Sequence, residues 1–199
     1  VIDLETTKVV PTINFKYDAN ATTKTASALA ALITTAVTNY SSTTLEKFET
    51  VFRYSKFTTL IDEVDPAILN NITNIKISKT FKPTLSSALK YTIDFSNALY
   101  NPHSGHMGST EGVTAGGILS STGFSLNAST ETWYLEDDGA GIVKTYYVSG
   151  TSKVYQAAAV GTIDYTTGEV VLTKINITAV SDVDGATSTS VRITVQPAS

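Results

Sequence analysis

The residues whose types could do chemistry are few and poorly grouped. His103 and His106, in NPHSGHMG, are the only histidines, and their spacing lets both face one metal ion. Catalytic zinc usually takes three protein ligands, so a carboxylate such as Glu111 would have to join them. The competing reading is a glycine-rich loop that happens to carry two imidazoles. Asp137-Asp138-Gly139 and Asp182-Val183-Asp184-Gly185 have the look of calcium loops, but neither supplies the further oxygens and the twelfth-position glutamate of an EF-hand. Turn chemistry explains both. Asp62, Glu63 and Asp65 lie too close in one helical stretch to face each other across a substrate.

Other reaction types find still less. There is no cysteine, which excludes a Cys-His site, a thiolate zinc site and disulfides alike. No nucleophile-elbow motif accompanies the histidines, and Gly116-Gly117 lacks the flanking pattern of a phosphate-binding loop. The expectation is a protein without catalytic residues, metal or cofactor. A net charge of -4 gives no electrostatic footprint for nucleic acid or an anionic membrane. No apolar run reaches the roughly 20 residues of a membrane-spanning helix.

The elements that must position these residues change character near residue 80. Upstream, Val9, Ile13, Phe15 and Tyr17 alternate with polar neighbours as a strand interrupted at Pro11, and a turn follows at Asp18-Ala19-Asn20. Ala26, Leu29, Ala30, Ile33 and Val37 form one helical stripe, with Asn20 or Thr22 as its cap. Thr43 and Glu46 read as a capping box opening a second helix, with Leu45, Phe48 and Phe52 inward. Phe57, Leu60, Ile61 and Val64 predict a third helix capped by Ser55 and closed at Asp65-Pro66. A strand through Ile75 and Ile77 ends at Lys82-Pro83.

Downstream the pattern is strand-like throughout. Leu89, Tyr91, Ile93 and Phe95 alternate strictly, and Asn97 to Gly117 is an irregular segment, either a functional loop or partly mobile. Two short strands lie between Ile118 and Leu126. Hairpins are expected at Thr132 to Val148 and at Thr162 to Leu172, then strands at Ile175 to Ala179 and Val191 to Val195. The fold class is therefore α+β: a small α+β domain over residues 1–82, strand, helices and strand, followed by an antiparallel β-sandwich-like domain over residues 83–199. Trp133, Tyr134, Tyr146 and Tyr147 alternate around the first hairpin, so some aromatics lie on each face. Those facing out, together with His103 and His106 of the loop, are interface candidates, because tyrosine and tryptophan are enriched at interface hot spots.

In order along the chain, IDEVDPAILNNITNIKISKTFKPTL, YNPHSGHMG, LSSTGF, YLEDDGAGIVKTYYV and GTIDYTTGEVVL resemble the C-terminal part of the baseplate wedge protein of contractile-tailed bacteriophages, a relative of the baseplate J-like proteins. The similarity runs from about Phe52 to about Val180, and the N-terminal strand and helices resemble the same pattern less distinctively. It implies a structural protein of the virion tail baseplate, assembled in the host cytoplasm. Its partners would be a second copy, in a homodimer that closes into a ring around the tail hub, and other baseplate wedge subunits. The chain opens at Val1 in strand-like sequence, as expected of a fragment of something larger. The alternative from another class is a β-sandwich adhesin that recognises host glycan by aromatic stacking.

Overall fold

The computed structural model describes residues 6–47, 51–102 and 117–198. The chain forms two compact units, one of Pro11–Asn74 and one of Val1–Val10 with Ile75–Ser199. His103, His106, Glu111 and Phe48 lie outside the described residues.

In the Pro11–Asn74 unit, strand β1 (Lys8–Tyr17) pairs with β2 (Ile68–Phe81), and helices α1 (Ala26–Tyr40) and α2 (Tyr54–Asp62) lie between them in sequence. β1 runs through Pro11 without the expected interruption, since a strand with a single neighbour tolerates a residue that cannot donate to the ladder. α1 is capped by Thr25, whose side chain accepts from the Ala28 amide, and not by Asn20 or Thr22. Those positions are occupied with turn chemistry: Asp18 accepts from the Asn20 amide, and the Thr22 hydroxyl accepts from the Lys24 amide.

The expected second helix does not form among the described residues. Instead α1 runs into a π-turn over Ser41–Leu45, closed by the Glu46 amide donating to the Ser41 carbonyl. Thr43 cannot cap because its hydroxyl donates backward to the Asn39 carbonyl at 2.6 Å, while the Glu46 carboxylate takes the Ser41 hydroxyl. α2 starts after Arg53, with no side-chain cap, so Ser55 is inside the helix and not at its end. It ends at Asp62 with Glu63 as C-cap, so Val64 lies in the turn that precedes the expected boundary at Asp65-Pro66. Asp65 accepts from the Ala67 amide at 2.9 Å and from the Lys24 ammonium at 2.7 Å, a tie that spans the unit from the start of α1 to the start of β2. These two donors hold the Asp65 carboxyl below its usual range, against the effect of its burial. Leu29, Ile33, Phe57 and Ile61 fill the core, and the Phe57 ring meets Phe52 at 5.4 Å and Tyr40 at 5.8 Å.

The other unit is entirely antiparallel where it pairs. Its strands are the end of β2, β3 (Ser87–Asp94), β4 (Ser120–Ser121), β5 (Phe124–Leu126), β6 (Trp133–Asp137), β7 (Ile142–Ser149), β8 (Ser152–Tyr155), β9 (Gly161–Asp164), β10 (Glu169–Val180) and β11 (Val191–Val195). The pairings β5–β6, β6–β7, β7–β9, β9–β10 and β10–β5 close on themselves. The expected sandwich is therefore replaced by a small β-barrel core, and β3, β4, β8 and β11 add to its margins.

Closure depends on a bend that the sequence reading took for a gap. Leu172 and Ile175 belong to one strand, not two. Opposite β3, Leu172 faces Tyr91 and Ile175 faces Leu89, so β10 carries one residue more than its partner. Lys174 has a φ of 50° at this bulge. A bulge bends and twists its strand, which lets β10 pair with β9 through Glu169–Leu172 and with β5 through Ile177–Val180. Phe124, Leu135, Val143, Val170, Leu172, Ile175, Ile177 and Ile193 are fully enclosed in the core that results.

Leu135 stands at the middle of that core on the closing β6–β7 pair. Leu135→Ala is expected to lower the free energy of unfolding by about 2–5 kcal/mol, the range for truncating an enclosed leucine. Urea denaturation of the two proteins measures it, and a loss below about 1 kcal/mol would mean that this part of the core is not packed as described.

Candidate functional site

The best-defined surface is the outer face of the β6–β7–β8 sheet. Registers place Tyr134 opposite Tyr146, and Tyr146 opposite Tyr155. Alternation then puts Tyr134, Glu136, Tyr146, Val148, Lys153 and Tyr155 on one face of the sheet and Trp133, Leu135, Asp137 and Tyr147 on the other.

The outer face is a connected cluster. Tyr134 stacks on Tyr146 at 5.5 Å between ring centroids, and Tyr146 lies 5.5 Å from Tyr155. The Lys153 ammonium sits 4.5 Å from the centre of the Tyr146 ring and 2.7 Å from the Glu136 carboxylate, which also accepts from the Tyr155 hydroxyl at 2.8 Å. Burial disfavours the Lys153 charge, but Glu136 more than offsets it, so its pKa is raised. Burial raises Tyr146 and Tyr155 as well, and the Glu136 hydrogen bond adds to the shift of Tyr155. Val148 and Tyr155 remain about half exposed, at 50% and 48%. The result is an aromatic surface whose side chains are tied to one another by ring contacts, an ion pair and a hydrogen bond.

On the inner face Trp133 is only 8% exposed and meets Tyr147 edge-on at 4.9 Å. Its indole N–H has no hydrogen-bond partner among the described residues. Of the aromatics selected from sequence, Tyr134 and Tyr146 are brought together on the outer face, and Trp133 and Tyr147 are paired on the inner one. Sequence reasoning missed Tyr155, Lys153 and Glu136. The signal was Ser149-Gly150-Thr151 between two short apolar runs, a turn that makes β7–β8 a hairpin; Gly150 has a φ of 61°.

Behind this hairpin lies a buried carboxylate. Asp137 accepts from the Leu119 amide at 2.7 Å on Oδ1, and on Oδ2 from the Tyr165 hydroxyl at 2.6 Å and the Gly139 amide at 3.3 Å. Asp138 accepts from the Ala140 and Ile142 amides. Both aspartates of the stretch that resembles a calcium loop are thus engaged by the chain's own donors. Among the described residues no three His, Asp or Glu side chains converge as a metal site would require.

Residues 7–80 match the family model described as baseplate structural protein gp6, C-terminal domain III. Over those residues the match bears out the resemblance to a phage baseplate protein. It spans the stretch read as less distinctive and reaches only the first of the five quoted segments; the other four lie beyond it. For the stretch it covers, the match supports a structural role in a phage baseplate, which implies association with other baseplate components and a place in the virion tail. Comparison with curated proteins finds no match to the chain.

Two outcomes test this geometry. Tyr165→Phe removes one donor from the buried Asp137 and is expected to cost about 1–3 kcal/mol of stability, measured by urea titration. Burial and the Asp137 hydrogen bond raise the Tyr165 pKa far above its usual 10.0. Below pH 10 the folded and unfolded forms are both neutral and the stabilisation is complete; above it the unfolded chain ionises first. Tyr146, Tyr155 and Lys153 act in the same direction, so the urea midpoint should stay level to about pH 9 and fall beyond about pH 10.

Proposed function

We propose that the chain is a scaffold subunit of a contractile-tail baseplate wedge, which pairs with a second copy and joins other wedge subunits in a ring around the tail hub after assembly in the host cytoplasm. The observation that carries this reading is the match of residues 7–80 to a structural baseplate domain. In this reading residues 1–82 form an α+β domain and residues 83–199 a β-rich one. The outer face of β6–β7–β8, with Tyr134, Tyr146 and Tyr155, is the surface offered to other wedge subunits.

The physical support for that assignment is preorganisation. A contact surface whose aromatic side chains are already fixed loses less conformational freedom on binding. Glycan recognition finds less support, because a sugar stacks on an open ring face. Trp133 is buried, and Tyr146 is already engaged by Tyr134 and Lys153.

Light scattering across a concentration series tests self-pairing. The expected result is a discrete dimer of the 21.2 kDa chain. A monomer at every concentration would remove pairing from this stretch of the protein.

A further inference from the structure

Among the described strands β1, β3 and β8 each have a single neighbour. An unpaired edge presents free amides and carbonyls, and proteins blunt such edges with proline, lysine or a covering side chain. On β1, Pro11 has no amide to offer, and Lys8 and Lys16 are exposed near the two ends. Just past β3 the Phe95 amide donates to the Gly168 carbonyl on the β10 side, so the Asp94 carbonyl of the same peptide unit points to the open side. There the buried Lys79 ammonium donates to it at 2.6 Å.

β8 carries no such guard. It is exposed at all four positions. Ser149 and Ser152 flank the two-residue turn Gly150-Thr151, and bonded pairs alternate with non-bonded ones along an antiparallel hairpin. Ser149–Ser152 and Tyr147–Val154 are therefore the bonded pairs, and the series continues where the Gln156 amide donates to the Thr145 carbonyl at 2.9 Å. The amides and carbonyls of Lys153 and Tyr155 then point away from β7. Lys153 could have blocked this edge, but its side chain is drawn across the sheet face, 4.5 Å from the centre of the Tyr146 ring and 2.7 Å from Glu136 of β6.

We propose that β8 is a strand-addition site, at which an extended segment of another wedge subunit pairs with the main chain of Lys153 and Tyr155. This rests on the outer-face reading given above and states how the partner is held. The class of occupant follows from the groups left free. Two amides and two carbonyls, alternating along an extended edge, are matched by another extended backbone, whereas a helix has already spent its own main-chain groups. The side chains that such a segment sets beside Lys153 and Tyr155 continue the outer face. Glu136 neutralises Lys153 there, and Val148 and Tyr155 are half exposed, so the fitting segment carries neutral apolar or aromatic residues at alternate positions.

Hydrogen exchange reads the edge directly. In the free chain the Lys153 and Tyr155 amides are expected to exchange as exposed amides do, while the Val154 amide, paired with Tyr147, is protected. In purified baseplates of the encoding virus, exchanged, quenched and dissolved before reading, both edge amides are expected to slow toward the Val154 rate. Lys153→Pro removes an edge amide that β7 does not use, and this variant is expected to fold and to be lost from assembled baseplates. Where it does not fold, the exchange result decides. Edge amides that stay fast in the baseplate, or a folded Lys153→Pro chain that assembles as the parent does, overturn strand addition and leave the proposed function standing. Edge amides already protected in the free chain overturn it too, because the edge is then covered without another subunit. A chain absent from purified baseplates overturns both.

Discussion

The β-barrel depends on one buried carboxylate. Asp137 ends β6 at 3% exposure, and it reaches three separate pieces of chain: the segment entering β4 through Leu119, its own turn through Gly139, and the β9–β10 loop through Tyr165. A buried charge without partners costs several kcal/mol, so the donors are not optional, and each pins its segment to the end of the β6–β7 hairpin. Gly117 obeys the same constraint. A Cβ there would run into the Asp137 carboxylate and carbonyl, so the chain can pass this close only as glycine.

A second constraint is the continuity of β10. The strand must bend to pair with β9 at one end and β5 at the other, and the bulge at Thr173-Lys174 supplies the bend. Periodicity alone cannot distinguish such a bulge from a loop. In sequence both appear as an apolar alternation that loses its phase, which is why Val170-Leu172 and Ile175-Ala179 read as two strands and the barrel read as a sandwich. Asp137 was equally hidden: an aspartate before Asp-Gly looks like turn chemistry, and Asp138 does perform it. Nothing local shows that the neighbouring carboxylate turns inward to bind Leu119 and Tyr165.

What was legible follows from short-range rules. Strict alternation found β3, β6, β7 and β11, and Asp65-Pro66 marked the end of α2 to within three residues, because these signals depend on the pleat and on proline's missing amide alone. Caps were less legible. Asn20, Thr22 and Thr25 all had the chemistry, and the choice among them depended on where the chain turns after β1. Alternation also separated the aromatics of the first hairpin into an inner and an outer pair, but it could not add Tyr155, whose place beside Tyr146 depends on the β7–β8 register.

Helix α1 shows why pattern and function have to be read together. Its apolar stripe predicts one buried face, and Leu29 and Ile33 meet that expectation. The threonines of its other face do not follow from helix propensity. Alanine's own helix propensity accounts for Ala28 and Ala31, but at Thr34, Thr35 and Thr38 lysine or glutamate would serve the helix better, since both are good helix formers and tolerate solvent. Threonine serves it less well, being stiff at χ1 and poorer in propensity than either. An uncharged exposed face is compatible with contact to another protein, and α1 lies within residues 7–80, the stretch that matches a structural baseplate domain.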